Sequence, residues 1–203
     1  RVAFLPGALA VAGTLLLANG VTTVAEYLPG YDDFAEAMQK MLVPGVGMAI
    51  AVIICAPVFE EALLRGIILR GLLRKTTPFY SILISGLCFG VMHVIPVHVF
   101  FASIVGFALG YVYYRTRSLG LVILIHLINN AASYLLGQTD MPASTEALLG
   151  AGMAGVLALA AGLTFVGLGM LYLLGSQYPL VPPPPGEYTT PEEMPVASSR
   201  SEN

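Results

Sequence analysis

Apolar stretches long enough to cross a lipid bilayer recur along this 203-residue chain. A hydrocarbon core about 30 Å thick takes roughly 20 mostly apolar residues of helix. Inside it, every backbone N–H and C=O must find its partner within the protein, so each such stretch is expected to be helical. The stretches cover residues 2–24, 46–73, 79–94, 97–114, 119–136 and 147–174. They predict an all-α, polytopic transmembrane helical bundle of about six spans. Residues 31–42, with Asp32, Asp33 and Glu36, read instead as an amphipathic helix lying at the interface.

Composition supports this and excludes other classes. The chain is 57% hydrophobic and 10% charged, with a mean hydropathy of +0.81, too few charges to cover a soluble domain. A net charge of −3 without any basic block argues against nucleic acid as a partner. Cys55 and Cys88 both lie in apolar runs and read as small buried residues rather than a disulfide. Several apolar segments in succession are not a signal peptide. The chain opens on Arg1, so its numbering is compatible with a start inside a longer protein.

The spans form one domain over residues 1–175. Seven of the 14 prolines fall between Pro179 and Pro195, and residues 176–203 read as a Pro-rich disordered cytoplasmic tail, with a docking peptide as the alternative. Arg70, Arg74 and Lys75 gather at the end of the second span, and Arg115 and Arg117 follow the fourth. Positive loops stay cytoplasmic, which places both termini on that side of a multi-pass protein of the plasma (inner) membrane. The acidic Asp32, Asp33, Asp140 and Glu146 then fall on the opposite side.

Charged and strongly polar groups inside spans are costly and mark function. The second span holds Glu60, Glu61 and Arg65 in Glu-Glu-Ala-Leu-Leu-Arg. Glu61 and Arg65, at i and i+4, lie one above the other and can pair, a combination that more often fixes helix register than performs chemistry. Successive helical residues point about 100° apart, so Glu60 is expected to face a different neighbour, without a local counter-ion, as a general-base candidate. His93 closes Phe-Gly-Val-Met-His at the outer end of the third span, with Phe89 packing against it. His126 and Asn130 in the fifth span, again at i and i+4, are expected to converge on one atom, while Asn129 turns away. His98 reads as an ordinary interfacial residue. Pro57 predicts a bend just before the glutamates. A single intramembrane His or Asn is usually interhelical glue, but three spans each contributing such groups favour a functional site.

Taken together, Glu60, Glu61 and Arg65, then Phe89 and His93, then His126 and Asn130 resemble the motif set Glu-Glu-x-x-x-Arg, Phe-x-x-x-His and His-x-x-x-Asn of the CAAX-protease and bacteriocin-processing (Abi) family, which includes the type II CAAX prenyl endopeptidases. The resemblance covers residues 45–137. It implies an intramembrane endopeptidase with a buried active-site cavity among the helices, acting on CAAX-type, lipidated or other peptide substrates. By position, Glu60 would activate water with help from His93, His126 and Asn130 would form the oxyanion hole, and Glu61 and Arg65 would support them. No cofactor is required by that set. A zinc-dependent version would use Glu60, His93 and His126 as ligands, although the His-Glu-x-x-His helix of zincins is absent. The readings from other classes are a non-catalytic immunity or scaffold protein and a small proton-coupled carrier. Membrane lipids and a peptide or lipidated protein are the expected partners. Substrate identity and oligomeric state are not legible in the sequence.

Overall fold

The computed structural model describes residues 2–139 and 145–177. Arg1, residues 140–144 with Asp140, and residues 178–203 with the Pro-rich segment lie outside the described residues. Among the described residues eight helices follow one another: α1 Phe4–Ala25, α2 Tyr31–Met41, α3 Val46–Leu72, α4 Pro78–Val91, α5 Pro96–Thr116, α6 Leu119–Leu136, α7 Thr145–Leu149 and α8 Met153–Gln177. The described residues contain no strand, and the architecture is a polytopic helical bundle.

Five of these helices, α1, α3, α5, α6 and α8, are long and apolar enough to cross a membrane. The expected third span is shorter, because α4 has 14 residues and reaches only about 21 Å. It ends where Val94 adopts a left-handed φ of 65° and Pro96 starts the next helix. The last span also begins later than its hydropathy suggests. Gly150 takes a φ of 61° and separates the short α7 from α8. The amphipathic segment forms α2 with none of its residues fully buried.

Helix starts follow local chemistry. Thr77 accepts from the Tyr80 N–H ahead of Pro78, which occupies the first turn of α4. Ser118 accepts from the Leu121 N–H at 3.2 Å and so caps α6, satisfying a donor that has no partner within the helix.

Small residues set how closely the helices approach. α1 runs along α8, where a side chain on Gly167 would place its Cβ 2.7 Å from the Leu17 nitrogen and 2.8 Å from the Gly13 oxygen. α4 meets α5 glycine to glycine: a Cβ on Gly106 would lie 3.0 Å from Gly86 Cα. Such contacts let backbones pack where lipid supplies no hydrophobic driving force between helices. The main core gathers Leu17, Leu69, Leu109, Val112, Ile125 and Leu174. A smaller cluster of Leu64, Phe89 and Ala102 lies beside the polar residues described next.

The two ends of the bundle are tied separately. At one end, the Glu26 carboxylate accepts from the Thr145 N–H at 2.9 Å and from its hydroxyl at 2.6 Å, and Gln138 donates to the Leu42 carbonyl at 3.0 Å. These bonds hold the acidic segments around α2 and α7 together. At the other end, Arg115 donates to the Gly175 carbonyl.

Gly167→Ala is expected to lower stability by about 1–3 kcal/mol, whereas Gly162→Ala, which meets nothing within 4 Å, should leave it unchanged. Thermal unfolding of the two variants in detergent compares them.

Candidate active site

α3 is not a uniform α-helix. Ile50–Cys55 and Ala62–Leu69 form wider π turns on either side of Ala56–Glu61, an arrangement frequent at functional sites. The sequence explains the first of them. In the π register, where each N–H bonds five residues back, Ala56 donates to Ala51. The next donor due, to the Val52 carbonyl, is residue 57, a proline with no N–H. Asn130 of α6 takes its place: its Nδ2 donates to Val52 O at 3.1 Å. Pro57 therefore leaves a carbonyl inside the bundle that a side chain on another helix must satisfy.

Glu61 and Arg65 are both fully buried and pair at 3.0 Å. Arg65 Nη2 also donates to the Gly106 carbonyl on α5 at 2.8 Å, and its guanidinium lies 5.2 Å over the Phe89 ring. The pair thus ties α3 to both α4 and α5. His126 adds α6, its Nδ1 lying 2.9 Å from Glu61 Oε1. Arg65 can only donate to that oxygen, so the carboxylate is the acceptor and His126 Nδ1 carries the proton.

Glu60 has not turned away from this group. Its Oε2 lies 3.7 Å from His126 Nε2, so both glutamates face one imidazole, one at each nitrogen. The sequence expectation of separate neighbours fails because the two ring nitrogens present opposite edges to α3. Glu60 remains 23% exposed against 5% for His126, which makes it the open carboxylate of the pair.

The structure also alters the expected partnership of His126 and Asn130. They share a face of α6, but each is held by its own partner, His126 by Glu61 and Asn130 by Val52, so no protein atom joins them. Asn130 Nδ2 retains its second hydrogen, and His126 can donate from Nε2 only when doubly protonated.

His93 lies just beyond α4, in a strained turn. Ile95 N–H donates to the His93 carbonyl at 2.7 Å across Val94, whose left-handed φ of 65° is rare for a β-branched residue. The imidazole Nδ1 lies 2.8 Å from the Phe89 carbonyl. A carbonyl only accepts, so Nδ1 carries the proton and Nε2 is left with a lone pair. Phe89 stands between the motifs, its ring 4.9 Å from that of His93 and 5.4 Å from that of His126.

Residues 42–132 match the family model for type II CAAX prenyl endopeptidase Rce1-like proteins. This segment is similar to that family. Sequence similarity extends to the "Putative membrane peptidase YdiL" of Bacillus subtilis (strain 168), 32% identical over 119 residues, which make up 57% of this chain and 49% of that protein. The chain therefore spans about half the length of the curated relative it matches. No solved structure matches it.

The matched segment contains Glu60, Glu61, Arg65, His93, His126 and Asn130, while α1, α7 and α8 lie outside it. Among the described residues, no three His, Cys, Asp or Glu side chains converge in a way that could hold a metal ion, including Glu60, His93 and His126. The cysteine expectation is corrected in one respect. Cys88 is half-buried, but Cys55 is exposed on α3, most of whose surface is open. Sequence reasoning missed the shared role of Phe89 and the bond between Asn130 and Val52. Pro57 was the signal for the latter, since it marks a carbonyl deprived of its donor.

Arg65→Ala, which strands a buried Glu61, is expected to lower stability by about 3–5 kcal/mol, and the double variant Glu61→Leu/Arg65→Met should recover much of it. Denaturant unfolding in detergent measures both. Asn130→Ala should lose about 1–2 kcal/mol by leaving Val52 O unpaired. In a Pro57→Ala background, which restores the missing N–H, that loss should shrink, as a double-mutant cycle would record.

Proposed function

We propose that this protein is an intramembrane endopeptidase in which Glu60 activates the attacking water. The observation that carries this reading is the partly open Glu60 carboxylate 3.7 Å from His126 Nε2, above a buried Glu61–Arg65 pair that fixes the imidazole. That separation exceeds a direct hydrogen bond, but a water to one side of the pair can bond to both groups.

Glu60 takes a proton from this water as its oxygen attacks the scissile carbonyl, and returns it to the departing amine. His93, whose Nε2 is an acceptor, assists in holding the water. The negative charge developing on the carbonyl oxygen is met by His126 in its doubly protonated form and by the second Nδ2 hydrogen of Asn130. Glu61 and Arg65 orient the imidazole and do not touch substrate. This scheme needs no cofactor. In the zinc-dependent alternative, Glu60, His93 and His126 would have to move together to bind the ion.

The substrate class that follows from the Rce1-like match is a CAAX-type peptide or another lipidated or membrane-associated protein cut near the bilayer. The expected setting is the plasma (inner) membrane with both termini cytoplasmic, supported by Arg70, Arg74, Lys75, Arg115 and Arg117 in connecting segments or at helix ends.

Purified protein in detergent should cleave a quenched CAAX-type peptide after treatment with a chelator. Glu60→Gln should lose at least about a hundredfold in rate while keeping the wild-type unfolding temperature, and His126→Ala should be similarly inactive. Loss of activity on chelation with recovery on adding zinc would overturn the metal-free scheme. Equal signals from wild type and both variants would overturn the assignment of the site.

A further inference from the structure

His98 is not the ordinary interfacial residue that its position suggests. Its ring centroid lies 4.2 Å from that of His93, and on its other contacts it stacks on Phe101 at 4.8 Å, with the rings inclined by 29°. Phe34 of α2 completes the group, 4.7 Å from His98 and 5.4 Å from Phe101. These four rings link the interfacial helix to the imidazole assigned above to water activation. The hydrogen bond from Nδ1 to Phe89 O fixes one edge of His93, and Phe89 packs at 4.9 Å. A ring held by one hydrogen bond beyond the end of a helix still needs lateral support.

We propose that His98 is a positioning residue for His93: wedged between His93 and Phe101 and backed by Phe34, it locks the imidazole so that Nε2 points to the attacking water. The inference deepens the peptidase reading and rests on it for its catalytic consequence, but its structural content stands on the ring geometry alone. What His98 supplies is a flat aromatic face, so its own ring nitrogens are dispensable. α2 becomes part of the active-site support through Phe34, and a displacement of α2 at the membrane surface would loosen His93.

The test combines a structural and a kinetic readout on the full chain in detergent. In protein labelled with 15N-histidine, with the three histidines assigned by substitution, His93 should give the Nδ1–H tautomer as one narrow set of ring signals. His98→Ala should broaden or shift that set, His98→Phe should preserve it, and Phe34→Ala should disturb it more weakly. Phe100→Ala, which removes a side chain that is 51% exposed on the same turn, should leave it unchanged. On a quenched CAAX-type peptide, His98→Ala should lower kcat roughly tenfold with little change in KM, as expected for a misplaced catalytic group. His98→Phe should restore most of the rate. Unchanged His93 signals in His98→Ala, or equal damage from His98→Phe and His98→Ala, would overturn the proposal. If wild type cleaves nothing while the ring signals respond as described, the positioning role stands and the peptidase reading falls.

Discussion

Burying the ion pair of Glu61 and Arg65 is the constraint that organises the bundle. Each charge removed from water costs several kcal/mol unless its hydrogen-bonding capacity is filled by geometry the fold itself supplies. Here the partners come from every neighbouring helix, although Glu61 Oε2 and Arg65 Nε stay buried without one. Gly106 O on α5 and the Phe89 ring on α4 receive Arg65, and His126 on α6 shares the Glu61 oxygen. Moving any of these helices would strand a charge, so the pair fixes the relative placement of four helices and orients the imidazole that faces Glu60.

A second constraint comes from backbone satisfaction. Pro57 withholds a donor from α3 just before the glutamates, and Asn130 supplies it from α6. The bond joins the two helices one turn away from the contact between Glu61 and His126. Together they hold α6 against α3 at two points, although much of α3 faces outward, with Phe59 74% and Ile67 66% exposed. In a bilayer such side chains meet lipid and need no protein cover. Beside the buried Leu64 and Leu69, the polar contacts hold this helix in register. That makes Glu61, Arg65 and Asn130 structurally consequential even where they perform no chemistry.

The close approach of α4 and α5 completes the arrangement. With glycine on both sides, Gly86 against Gly106, the backbones come near enough for a carbonyl of α5 to reach Arg65. The short α4 then ends early, and the strained turn at Val94 carries His93 beyond the helix, where its ring meets Phe89 and His98. Small residues thus decide where the polar groups stand, and one turn decides which way a histidine faces.

The sequence by itself determined the all-α membrane class, the order of the helices and the residues of the polar site, because apolar length and the rarity of intramembrane charge are properties of composition and spacing. It also determined that Glu61 and Arg65 can pair, since four residues of helix bring them together. What only the tertiary structure decided was how contacts between helices share those groups. Spacing along α3 predicts different directions for Glu60 and Glu61, but an imidazole from α6 reaches both. Spacing along α6 places His126 and Asn130 on one face, but only the bundle shows that a carbonyl left free by Pro57 takes one hydrogen of Asn130 and that Glu61 holds His126. The break after α4 and the ring contacts of His98 follow from a turn conformation and from packing against α2. Periodicity reports which face of a helix a residue occupies, and only the assembled bundle reports what stands opposite that face.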